Sequence, residues 1–140
     1  MNITFVLVIS LLLVYSTYTD IKGRYVMMVP IYACFLIAII EYFLPQRNAS
    51  INIWGLIPGV VLLMIGKVSK GAIGSGDAYI VMVIGIFMGL KVTFEILMIG
   101  SVIAALYCIY MIAAKGKDCK DSIPFVPFIF SGFLGVLMFG

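Results

Sequence analysis

The chain has 140 residues, 64% of them hydrophobic and only 11% charged, with a net charge of +3 and no histidine. A soluble domain wets its surface with roughly a quarter charged residues, and the apolar excess here is more than one core can bury, so a soluble enzyme, a nucleic-acid binder and a disordered chain are excluded. Lack of His removes Ser-His and Cys-His nucleophiles and imidazole metal sites, and three cysteines without a Cys-x-x-Cys pair fit neither zinc nor a disulfide framework.

Apolar blocks run over residues 3–19, 25–44, 51–68, 78–90, 92–114 and 123–139. A helix crosses the hydrocarbon core with about 20 residues, about 17 at the least, and five blocks meet that limit. The fourth is short. Between it and the fifth, Lys91 and Glu95 mark where a turn is expected. The expected fold is an all-α membrane protein of six transmembrane helices in a single domain, 1–140. The first block has no basic segment before it and no small-residue cleavage site after it, so it reads as a retained span.

Lys and Arg fix the orientation. Loops one, three and five hold Lys22, Arg24, Lys67, Lys70, Lys115, Lys117 and Lys120, and the opposite side holds only Arg47 and Lys91. The odd loops are therefore expected in the cytoplasm and both termini outside, in a multi-pass cytoplasmic-membrane protein with lipid as its main partner. Three pairs of small residues, Gly55 with Gly59, Gly85 with Gly89, and Ser131 with Gly135, suit close helix packing. Cys34 and Cys108 read as small hydrophobes, and Cys119 as a solvated thiol.

Six acidic residues remain to be placed. Asp118 and Asp121 lie among lysines in the last cytoplasmic loop. Glu41 and Glu95 fall near outer helix ends, where Glu95 either reaches the interface or lines an internal polar path. Asp20 ends the first span before Ile21-Lys22-Gly23-Arg24, and Asp77 closes Gly74-Ser75-Gly76-Asp77 at the start of the fourth. Both map to the cytoplasmic side, and antiparallel packing of helices one and four brings them together. A 13-residue fourth block rises only about 20 Å, against about 30 Å of hydrocarbon, which puts Asp77 in a recess below the surface.

Two carboxylates in such a place share a proton, one activating a water and the other polarising a scissile carbonyl. Glycines beside them let a substrate backbone approach. From pattern alone a second reading stands beside this one, in which the two aspartates only cap their helices at the interface.

Three segments taken in order resemble the prepilin peptidase family, the Gly-x-Gly-Asp type of integral membrane aspartyl protease. They are Asp20-Ile21-Lys22-Gly23-Arg24, Gly74-Ser75-Gly76-Asp77, and Ile123-Pro124-Phe125-Val126-Pro127-Phe128, the last close to the family's Ile-Pro-Phe-Gly-Pro-Phe. The resemblance implies that Asp20 and Asp77 are the catalytic pair. It also implies supporting or substrate-binding roles for Gly74, Gly76, Lys22, Arg24, Pro124, Phe125 and Pro127, with no metal and no cofactor. The implied substrates are prepilins, pseudopilins or preflagellins, cut at a short basic leader on the cytoplasmic face, with a pilus or secretion assembly as a wider partner and no nucleic acid.

Departures from the family are Val26-Met27-Met28 for Ile-Pro-Asn, Ala78-Tyr79 for Val-Lys, and Val126 for Gly. The Cys-x-x-Cys methyltransferase domain of larger members has no counterpart here. Two other functions fit the composition: a small transporter or channel component using Asp77 or Glu95, and an inactive scaffold of a secretion assembly.

Overall fold

Hydrophobic residues line every side of the first helix, α1 (Ile3–Gly23), so two stripes must find different surroundings. Phe5, Ile9, Leu12, Leu13, Ser16 and Asp20 fall on one face and are buried. Ile3, Leu7, Leu11 and Val14 fall on the other and are exposed. A helix that is apolar all round belongs inside a large core or in lipid.

The computed structural model describes residues 3–23, 28–43, 52–69, 74–115 and 125–139. After α1 come α2 (Met28–Phe43), a 3-10 turn (Ile53–Gly55) leading into α3 (Leu56–Val68), α4 (Ser75–Met88), α5 (Leu90–Lys115) and α6 (Val126–Phe139). The described residues are thus all-α, in six helices, as the sequence suggests.

The centre is α4. From Gly76 to Phe87 every residue but Tyr79 is buried. Around it pack α1, α2, α3 with its leading turn, and α5, while α6 closes against α5 and α1. One hydrophobic cluster draws on α1, α2, α4, α5 and α6, with Ile31, Cys34 and Ala38 supplying the stripe from α2.

Small residues set the closest seams. A Cβ on Gly55 would collide with the Gly85 backbone, and one on Gly59 with Met82 and the Ala78 carbonyl, so α3 and α4 touch backbone to backbone. In the α5·α6 seam, a Cβ on Gly132 would strike the Ile96 carbonyl, and one on Gly100 would sit 2.8 Å from the Phe128 carbonyl oxygen. Such contact is how helices associate where lipid removes the hydrophobic drive. The sequence pairs Gly55, Gly59 and Gly85 for packing correctly. It misses Gly100 and Gly132, and it misassigns Gly89.

Gly89 is the break between α4 and α5, at φ 83° and ψ 168°, a region that essentially only glycine occupies. The turn therefore lies before Lys91, not over Lys91–Glu95 as expected. Those two residues sit in the first turns of α5 as an i,i+4 pair, with Nζ–Oε1 3.9 Å, on the surface. Glu95 is thereby placed at the surface with a cation beside it.

Helix lengths correct a second expectation. Among the described residues only α1, with 21 residues, and α5, with 26, are long and apolar enough to cross a membrane. The others run 16, 13, 14 and 14 residues, so the fourth is not alone in being short. Hydrophobicity overruns the helix ends for local reasons. The third block opens with a 3-10 turn before Pro58, and the last begins its helix only at Val126, which places Pro127 in a first turn that needs no N–H from it.

Candidate active site

The buried stripe of α1 ends on an acid. Asp20 lies one turn beyond Ser16 on the same face, and only 7% of it is exposed. A backbone donor meets it: the Val126 N–H, the first of α6, donates to Asp20 Oδ2 at 3.3 Å. The first N–H groups of a helix have no partner within it, and α6 gives one of its own to a carboxylate on another helix. Phe125 organises that end by accepting from the N–H groups of Phe128 at 3.0 Å and Ile129 at 3.2 Å.

Asp77 is held differently. Gly74 is the N-cap of α4, with extended backbone at φ −63° and ψ 134°, and Asp77 is the third helical residue. The Asp77 N–H donates to the Gly74 carbonyl at 3.1 Å, and its carboxylate reaches back toward the Gly74 N–H. This is one half of a capping box, since Gly74 has no side chain to bond the Asp77 N–H in return. A side chain at Gly74 would crowd it, since a Cβ there falls 3.1 Å from Asp77 Oδ2. Gly76 is buried beneath the same turn, and Asp77 is 9% exposed.

Packing of α1 on α4 brings these two acids into one site, near enough for their charges to act on each other. Lys22 does not join them. It is exposed, its Nζ 5.6 Å from the centre of the Tyr18 ring and 3.4 Å from the Tyr18 hydroxyl on the outer side of α1. Phe125 and Pro127 are half-buried beside Val126, at the end of α6 that meets Asp20. Arg24 and Pro124 lie outside the described residues, as do Val26, Met27, Asp118, Cys119 and Asp121. Among the described residues no group of three His, Cys, Asp or Glu is arranged to hold a metal.

Val126 entered the sequence reading only as a substitution, because a main-chain donor leaves no mark on the choice of side chain. The arrangement sets two buried carboxylates in one site, with an N–H fixing one of them in place.

No curated protein matches the chain, and no solved structure does. The model of the type IV leader peptidase family matches residues 7–109. That stretch is well over half of the chain, reaches from α1 into α5 and includes both buried aspartates. The chain belongs to the type IV leader peptidase family.

Proposed function

We propose that this protein is a membrane-embedded aspartyl endopeptidase that removes the short basic leader from prepilin-like, pseudopilin-like or preflagellin-like proteins at the cytoplasmic face. One observation carries the reading. Asp20 and Asp77, far apart in sequence, are both buried and meet through the packing of α1 on α4, inside the stretch that matches a peptidase family.

The chemistry needs no other group. One carboxylate, ionised, takes a proton from a water as the water oxygen attacks the scissile carbonyl carbon. The other, protonated, donates to the carbonyl oxygen as it gains charge. Collapse of the tetrahedral intermediate returns a hydroxyl proton to the second carboxylate and breaks the C–N bond, and the leaving amine takes the proton removed from the water. The Val126 N–H on Oδ2 helps hold the Asp20 carboxylate in one orientation. Gly74, which is exposed, gives an approaching peptide backbone an unhindered edge beside Asp77.

The same reading places the six helices in the cytoplasmic membrane, with both termini outside and the two aspartates toward the cytoplasm. Exposed apolar side chains on α1, α2 and α5 support lipid contact. Of the short helices, α4 is sheltered by its neighbours, while α2 and α3 also expose apolar side chains. The lysine excess on the odd loops fits a negative lipid surface.

The test is cleavage of a leader-bearing prepilin coexpressed with wild type, Asp20→Asn or Asp77→Asn, read by the mass of the pilin. Leader removal by wild type alone is the expected result. Equal processing by all three would sink the aspartyl mechanism.

A further inference from the structure

Side-chain hydroxyls in these helices have a regular habit. Ser10 donates to the Leu7 carbonyl, Thr19 to Ser16, Thr93 to Gly89, Ser101 to Leu97 and Ser131 to Pro127, all at 2.6–3.0 Å. Back-bonding of this kind is how Ser and Thr are satisfied within a helix. Ser16 breaks the habit. It is 1% exposed, and its Oγ has no hydrogen-bond partner among the described residues. Thr17 beside it also lacks one but is only half-buried.

A buried polar group without a partner costs stability and asks for an explanation. Its position supplies one. Ser16 lies on the face of α1 that carries Asp20, four residues earlier, about 6 Å along the axis. That offset is about one helical turn. It matches about two residues of extended peptide. An intramembrane protease must open its substrate into an extended strand, and each exposed N–H and C=O then needs a partner that lipid does not provide. A hydroxyl both donates and accepts, so it serves either main-chain group.

We propose that Ser16 is a substrate-binding residue whose hydroxyl bonds the substrate main chain about two residues from the scissile bond, on the mature side. The inference rests on the peptidase reading above. With the amino terminus of α1 outside, Ser16 lies deeper than Asp20, where the hydrophobic segment after the leader enters. Ser16 therefore acts on substrate affinity and not on the reacting atoms.

The test is steady-state cleavage of a purified prepilin in detergent by wild type, Ser16→Ala and Ser16→Cys, with the Tm of each. The Cys variant keeps the volume while offering only a weak donor. In both, KM is expected to rise roughly three- to tenfold, the size of one neutral hydrogen bond, with kcat within about twofold of wild type. The Tm of Ser16→Ala should equal or exceed that of wild type, because the hydroxyl bonds nothing in the protein alone. An unchanged KM in both variants overturns the inference, as does a fall in kcat alone. Those results leave the peptidase reading standing. Absence of cleavage by wild type overturns that reading and removes the substrate Ser16 would hold.

Discussion

Two neighbouring helices, α4 and α5, are similar in kind and opposite in use. Both are strongly apolar, and only Gly89 separates them. Yet α4 is covered on nearly all sides, whereas α5 exposes Met98, Val102, Leu106, Ile109 and Tyr110 along its length. Hydrophobicity does not distinguish a helix wrapped in protein from one left exposed. The distinction lies in what lets a neighbour come close. On the α3 side of α4 this is Gly85 against Gly55 and Ala78 against Gly59; the outer face of α5 carries bulky side chains where such a contact would have to form. The acids follow suit, with Asp77 buried in α4 and Glu95 at the surface of α5.

The sharpest way to break this contrast is to neutralise one acid in each helix. Asp77→Asn should lower leader cleavage by about a thousandfold or more, the loss expected when a two-carboxylate mechanism keeps one carboxylate. Glu95→Gln should leave the rate within about twofold, both read by single-turnover cleavage. A comparable loss from the two would end the distinction.

A second comparison is steric. Gly85→Leu drives a side chain into the Gly55 backbone, which has no rotamer to yield, so destabilisation of about 3 kcal/mol or more is expected. Ala105→Leu, on the exposed face of α5, should shift stability by no more than about 0.5 kcal/mol. Thermal unfolding in one detergent compares the two.

Smaller effects are expected at the junction. Gly89→Ala forces a Cβ into a glycine-only backbone region and to within 3.2 Å of Asn52 Nδ2, at a cost of about 1–3 kcal/mol. The smallest is Lys91→Ala, where loss of an exposed i,i+4 pair with Glu95 should cost about 0.2–0.5 kcal/mol. A Tm change for Lys91→Ala as large as that for Gly89→Ala would mean the pair, and not the backbone, holds the junction.

The aspartates were legible in the sequence for a physical reason. An acid at the edge of an apolar block is expensive, so its presence asks for a purpose. Six helices were legible too, because their blocks are separated by charge or glycine. Helix ends were not. Apolar residues continue through the 3-10 turn at Ile53–Gly55 and up to Val126, and composition cannot tell a helical Ile from one outside a helix. The resemblance gives Lys22 a supporting role beside Asp20, but two residues along a helix turn a side chain to another face, and it lies over Tyr18. Val126 and Ser16 were invisible for opposite reasons. One acts through its backbone, and the other is ordinary in type and unusual only in what it fails to bond.

The burial of α4 bears on how the protein is made. A 14-residue helix that begins with a buried acid and keeps almost no outward face has little to gain from lipid as it leaves the ribosome. Its cover depends on partners. The segments that form α1, α2 and α3 are synthesised before it, and α5, the longest helix, follows directly and completes the cover. Seating of α4, and with it the meeting of Asp77 with Asp20, is therefore an assembly event that waits for later helices. A nascent chain cut short before α5 would carry both carboxylates and lack the helix that completes the cover of α4.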